Sequence, residues 1–165
     1  MDIQQAALHD VPEIDTIYEE ARRFMRERGN HKQWTGGYPD RSVIESDIEK
    51  GQLFVVRDEG GILGVFVYFH GEDPTYRVIE DGSWLSPLSP YGVLHRVAIA
   101  HRAHRRGVGS LIFRYALARS HNVRIDTHED NQPMRHSLEK HGFSYRGIIY
   151  LASGESRLAY QCIES

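Results

Sequence analysis

The sequence predicts a mixed α/β fold in a single domain, residues 1–165, on three observations. Strand-like runs and segments of helical periodicity follow one another in the order β-α-α-β-β-β-α-β-α-β-β. In the middle, "VLHRVAIA", a helical stretch and "VRIDTH" form a β-α-β unit, which calls for a parallel pair joined by a right-handed crossover. On either side, turn residues at Glu59-Gly60-Gly61 and Ser153-Gly154 join neighbouring strand patterns into antiparallel hairpins. A length of 165 residues and a hydrophobic fraction of 40% suit one core. Splitting the chain at its long irregular stretch would leave each half short of sheet partners.

Each element has its own signal. "DIQQAAL" starts a strand. Asp10 with Glu13 three residues on has the spacing of a capping box, and Pro12 suits a first turn. Val11, Ile14, Ile17, Tyr18, Ala21, Phe24 and Met25 then recur at helical spacing until Gly29-Asn30. "HKQWTGGYP" is a loop with two aromatic residues. Asp40 caps a short helix carrying Val43, Ile44 and Ile48, and Gly51 ends it. "QLFVVRD" and "GILGVFVYF" make the first hairpin. "HGEDPTYRVIEDGSWLSPLSP" is irregular. After "VLHRVAIA" a helix runs from Gly107 to Ser120, with Val108, Leu111, Ile112, Tyr115 and Ala116 on one stripe. "VRIDTH" is a strand, and Asn131 to His141 is a helix closed by Gly142. "YRGIIYLA" and "SRLAYQCI" form the last hairpin.

Composition excludes several classes. A net charge of −3 argues against a protein built to coat nucleic acid. The basic string "HRAHRR" lacks interleaved aromatics, so no nucleic-acid partner is expected. A single cysteine, Cys162, allows no internal disulfide and fits a reducing compartment. With no signal-peptide pattern and no apolar run of about 18 residues, a cytoplasmic protein without a membrane partner is expected. The ten histidines show no convincing metal-ligand spacing with carboxylates or cysteine, so no metal is expected.

The most informative stretch is "HRAHRRGVGSLIF", at a strand-to-helix turn. A helix starting there offers unpaired N–H groups and a positive dipole end, and the glycines admit a ligand close to the backbone. That describes an anion site suited to phosphate or pyrophosphate. A nucleotide P-loop would need G-x-x-x-x-G-K-[ST], and no such string exists. A dinucleotide fingerprint would need a glycine where Ile112 stands. On spacing alone, an ordinary glycine-containing helix start with solvated arginines explains the stretch equally well.

The string His104-Arg105-Arg106-Gly107-Val108-Gly109 resembles motif A of the GNAT superfamily of acyl-CoA N-acyltransferases, R/Q-x-x-G-x-G/A after a strand. It departs at His104, where the family has arginine or glutamine. "NQPMRHSLEKHGF" is similar to the family's N-x-x-A-x-x-x-Y-x-K-x-G-F through Asn131, Lys140, Gly142 and Phe143. Met134 replaces alanine, and Leu138 replaces the tyrosine that protonates the leaving thiolate in many members. "RIDTHEDN", "GIIYL" and "QWTGGYP" look like a bacterial subgroup of unassigned acceptor.

The resemblance implies the GNAT fold, with its central parallel pair splayed for CoA and antiparallel hairpins on its flanks. It implies acetyl-CoA as acyl donor and transfer of the acetyl group to a primary amine by direct attack. The backbone from Arg105 to Ser110 would cradle the pyrophosphate, with His104 opening the motif. Val97 and Ile99 would offer backbone groups to pantetheine, and Asn131 and Lys140 would join the cofactor contacts. Trp34 and Tyr38 lie in the loop that commonly walls the acceptor site, the acceptor being a small-molecule amine. A homodimer would be in keeping with the family. The alternative is a non-catalytic acyl-CoA-binding or sensing domain, which Leu138 favours.

Attack requires a neutral amine, hence a base. Arg124, Asp126 and His128 share one face of "VRIDTH", and His95 and Arg96 lie on "VLHRVAIA". Histidine titrates near neutrality, which makes His95 and His128 the first candidates. Tyr145 and Tyr150 are candidates to protonate the thiolate, Tyr150 foremost, and Asp126 is a candidate for acceptor contact. The competing reading has Arg96 paired with Asp126 and the histidines bonded to backbone. Glu45 and Asp47 read as a solvated helix face.

Overall fold

The structure is a computed structural model, in which residues 1–164 are described. In chain order the elements are β1 (Asp2–Gln5), α1 (Val11–Glu27), α2 (Arg41–Glu49), β2 (Leu53–Asp58), β3 (Gly61–Gly71), β4 (Tyr91–Ile99), α3 (Val108–Ser120), β5 (Asn122–Thr127), α4 (Gln132–Lys140), β6 (Ser144–Tyr150) and β7 (Ser156–Ile163). This is the predicted order. The strands make one seven-stranded mixed sheet in the order β1-β2-β3-β4-β5-β7-β6. β4 and β5 are parallel, with Gly92 opposite Val123 and Val93 opposite Arg124. The first and last hairpins are antiparallel, as expected. β7 pairs with both β5 and β6, so β6 takes the edge position.

The chain gathers into two compact units. The first comprises Met1–Tyr68 and His95–Ile112, and the second comprises Phe69–Leu94 and the chain from Phe113 onward.

In the first unit, α1 buries Val11, Ile14, Ile17, Tyr18 and Met25, while Ala21 and Phe24 are half-buried. The expected capping box does not form. The Asp10 carboxylate instead accepts from the Ala7 amide at 2.9 Å and pairs with Arg57 of β2 at 2.9 Å. Glu13 accepts from the Ile62 amide at 2.7 Å, which ties the start of α1 to β3. Both acids are used across elements, so neither remains for the local cap. Asp40 does cap α2, accepting from the Val43 amide at 3.1 Å, a bond worth about 1 kcal/mol. Gly64 lets the start of α3 approach β3: a Cβ there would lie 2.7 Å from Val108 Cγ1.

α3 begins at Val108, one residue later than expected. Its buried face is Val108, Ile112, Phe113, Ala116 and Leu117, whereas Leu111 and Tyr115 are half-buried. The buried stripe is therefore rotated slightly from the one the periodicity predicts. Tyr115 instead carries Arg119 over its ring at 3.4 Å.

In the second unit, Tyr76, Tyr91, Val93, Ile149 and Ala159 form a core cluster, with Phe69, Ile79, Trp84 and Leu151 packed against it. The irregular stretch before β4 is not a free linker. Glu80 makes a two-way backbone bridge to Ile148 of β6, and the Trp84 indole donates to the Tyr76 carbonyl at 2.9 Å.

Candidate active site

In the first unit, β4 leads through a 3₁₀ turn (His101–Ala103) into the glycine turn and then α3. Arg105 has φ +66° and Gly107 φ +82°, one on each side of Arg106. Left-handed residues alternating with ordinary ones make the backbone concavities that bind anions. A Cβ added at Gly107 would meet nothing within 4 Å, so the backbone there opens onto free space. Gly109 and Ser110 stand in the first turn of α3, at the positive end of the helix dipole, and the Leu111 amide donates to the Gly107 carbonyl at 3.1 Å. This backbone fits a pyrophosphate.

The cationic side chains are less available than the sequence suggests. Asp58 lies 3.3 Å from Arg106 and 3.9 Å from Arg102. The Gly60 amide and these two arginines hold its carboxyl below the usual carboxylate range. Arg105 is exposed. His104 is half-buried, with its ring 4.9 Å from Phe24 and 5.4 Å from His101. Burial, and then the neighbouring His101, push its pKa down, which favours the neutral imidazole. A neutral imidazole thus replaces the cation or amide that motif A has at this position.

Val97, Ile99 and His95 lie half-buried on β4. Between them Arg96 adopts φ +47°. Asp47 of α2 grips the guanidinium with two 2.8 Å hydrogen bonds, and Arg96 Nη1 donates to the Tyr38 hydroxyl at 2.9 Å. Burial alone would lower the pKa of Arg96, but Asp47 and Tyr38 outweigh it and raise it. The Tyr18 hydroxyl donates to the Arg96 carbonyl at 3.0 Å. Burial pushes the Tyr18 phenol far up, so it stays protonated as a donor. Asp47 is buried, which corrects its reading as a solvated face.

Trp34 and Tyr38 are brought to this cluster. Trp34 meets Tyr18 edge-on at 5.5 Å, and Tyr38 at 6.5 Å. Arg26 of α1 fixes their loop by donating to the carbonyls of Asn30, Gln33 and Trp34, each at 2.8 Å. Trp34, like Arg96 and Arg105, is left-handed, with φ +53°.

The second unit carries the other candidates. Asp126 on β5 accepts from the buried Tyr76 hydroxyl at 2.7 Å. Arg124 lies under Trp84 and Tyr91, with its guanidinium carbon 4.1 and 3.9 Å from their ring centres. The polar row is thus one stacked cation and one bonded carboxylate on β5, followed by His128 just past the end of the strand. His128 is buried, and its Nδ1 accepts from the Asp130 amide at 3.0 Å. Asn131 is the N-cap of α4, accepting from the Met134 amide at 3.3 Å. Lys140 is exposed at the far end of that helix, roughly 13 Å along its axis from Asn131, so the two do not meet at one point. Leu138 is fully buried in the core. Tyr150 is exposed and donates to Glu80 at 3.0 Å, and that bond raises its pKa. Tyr145 is exposed, edge-on to Tyr160.

Among the described residues no three His, Cys, Asp or Glu side chains converge to hold a metal ion. No helix among them is long and apolar enough to cross a membrane.

Comparison with known proteins gives a consistent picture. The model of the acetyltransferase (GNAT) family matches residues 14–143. A GNAT-family acetyltransferase of Streptococcus agalactiae 2603 has a similar structure, with a TM-score of 0.89 and 33% identity over 99% of this chain and 95% of that one. YesJ of Bacillus subtilis (strain 168), an uncharacterized N-acetyltransferase, is 23% identical over 151 residues, 86% of this chain and 81% of its own length. The GNAT-like decarboxylase GphF, solved with isobutyryl-CoA, shares the fold at a TM-score of 0.70 with 13% identity, over 99% of each chain.

Proposed function

The chain belongs to the acetyltransferase (GNAT) family, whose chemistry is acyl transfer from coenzyme A, and from that premise we propose that it acetylates a small-molecule primary amine with acetyl-CoA as donor. The observation that carries this reading is the turn from His104 to Ser110. Its left-handed Arg105 and Gly107, the open space at Gly107 and the positive end of the α3 dipole suit a diphosphate.

Bound acetyl-CoA supplies an acyl carbon activated as a thioester. The amides of Arg105 to Ser110 hold its diphosphate, and the Val97 and Ile99 backbone holds its pantetheine arm. Asn131 and Lys140 complete the cofactor contacts. The Val97 amide faces the thioester carbonyl and stabilises the charge that grows there. Trp34 and Tyr38 wall the acceptor amine. Asp126, oriented by Tyr76, attracts the amine in its cationic form. His95 takes the proton that the amine must lose, and the nitrogen forms its bond to the acyl carbon as the carbon–sulfur bond breaks. The leaving thiolate takes a proton from Tyr150, whose hydrogen bond to Glu80 favours the protonated phenol, and the phenolate regains a proton from the nitrogen, which sheds its second one as the amide forms. No cysteine nucleophile is needed, in keeping with the buried Cys162.

The second reading, an acyl-CoA-binding domain without turnover, is favoured by the buried Leu138, which leaves no hydroxyl at that place in the motif. Thiol release from acetyl-CoA against a panel of amines tests the two. Amine-dependent release supports the enzyme. Tight acetyl-CoA binding with no release for any amine at any pH would support the binding domain.

A further inference from the structure

Arg96 lies inside β4 with φ +47°. A residue with a Cβ rarely takes that conformation, and in a strand it breaks the regular ladder. The Arg96 carbonyl accordingly accepts from the Tyr18 hydroxyl of α1. Its guanidinium is held by Asp47 of α2 through two hydrogen bonds of 2.8 Å. Left-handed residues persist only where their surroundings over-determine them, and they gather at functional sites. Two helices grip this one, from its two ends. Stability alone does not call for the Asp47–Arg96 pair, since apolar residues of similar volume often replace a buried ion pair without loss. The pair does fix one geometry.

We propose that Asp47 is a positioning residue for acyl transfer. By gripping Arg96 it holds the kink in β4, and the kink aims the following amide, that of Val97, at the acyl oxygen. The inference rests on the acetyl-transfer reading of the site. Asp47 touches no reacting atom and acts through Arg96. Tyr18 holds the same residue from the carbonyl side, so the two are parts of one device.

The test compares the wild type with Asp47→Asn, Tyr18→Phe, the double variant, and Arg96→Gly in the Asp47→Asn background. Asp47→Asn is expected to lower kcat about tenfold or more, while the Kd for acetyl-CoA by calorimetry stays within about threefold. Tyr18→Phe should act in the same direction, and the double variant should lose less than the product of the two. Glycine takes the left-handed conformation with no side chain to be held, so Arg96→Gly should return kcat toward the wild-type value in the Asp47→Asn background. A merely structural ion pair would show no such rescue. The HN–Hα coupling of residue 96, read by NMR on the free protein, reports φ without any turnover. It should move toward the strand value in Asp47→Asn. An unchanged coupling, an unchanged kcat, the absence of rescue, or acetyl-CoA affinity falling in step with kcat would overturn the proposal. If Asp47→Asn does not fold, Tyr18→Phe decides by the same two readouts. A wild type that acetylates no amine would defeat the underlying reading instead, and the coupling would still show whether Asp47 holds the kink.

Discussion

The imidazole of His128 accepts the Asp130 amide on Nδ1, and that bond bears on which histidine can act as base. With Nδ1 occupied as acceptor, the neutral ring carries its proton on Nε2 and offers no second lone pair. Taking a proton on Nδ1 would cost the hydrogen bond to the turn that leads into α4. His95 is half-buried on β4, immediately before the Arg96 kink, and is the better choice. His95→Gln is therefore expected to lower kcat by roughly 10²-fold or more, with acetyl-CoA binding little changed. His128→Gln should leave kcat within about threefold of the wild type. A large loss of kcat in His128→Gln together with an unchanged kcat in His95→Gln would reverse the assignment. Asp47 shows how far a single side chain can be read. Ile44, Asp47 and Ile48 share one face of α2, so the helical period already placed Asp47 among apolar neighbours. Its partner, Arg96, is 49 residues away, and no local pattern links them.

The elements were legible where their signals are local. The glycine stops of α1, α2 and α4 hold because Gly29, Gly51 and Gly142 adopt φ of +86°, +69° and +90°. The capping box failed because spacing permits a local bond without requiring it, and long-range partners competed better. Asp10 is the clearest case, since it joins the start of α1 to β2 through Arg57. Burial alone would raise its pKa, but the Ala7 amide and Arg57 outweigh burial and lower it. A carboxyl with a lowered folded pKa stabilises the fold above its unfolded pKa of 3.8, and that contribution is lost as pH falls through the folded value. Asp10→Asn is therefore expected to cost about 1–3 kcal/mol near pH 7, where the wild type keeps its charged pair. The gap should narrow below about pH 4 as the wild type protonates. Urea melts of both proteins at several pH values check this, and a gap independent of pH would show that the ion pair contributes nothing.

At the scale of the whole molecule, the order of elements and the parallel pair could be read from sequence, but the order of strands in the sheet could not. The insertion of β7 between β5 and β6 is fixed by side-chain fit between distant segments, which periodicity does not encode. The glycine turn was readable because its chemistry is a backbone property of a few consecutive residues. Its charge balance was not, because Asp58 reaches Arg102 and Arg106 from another part of the chain. Anion binding at this turn should therefore rest more on backbone amides than on exposed cations. A ligand bound only by the folded state at 100 times its Kd adds about 2.7 kcal/mol. For a chain of 165 residues this corresponds to a rise in Tm of roughly 5–10 °C. Acetyl-CoA should produce such a rise in the wild type. Gly109→Val places a side chain in the first turn of α3, at the proposed diphosphate site, and should abolish most of the rise while leaving the Tm of the free protein within a few degrees. Replacing Arg105 by glutamine removes a cation and keeps the backbone, so it should reduce the rise only in part. If Arg105→Gln erases the rise and Gly109→Val leaves it intact, side-chain charge holds the diphosphate and the backbone cradle does not.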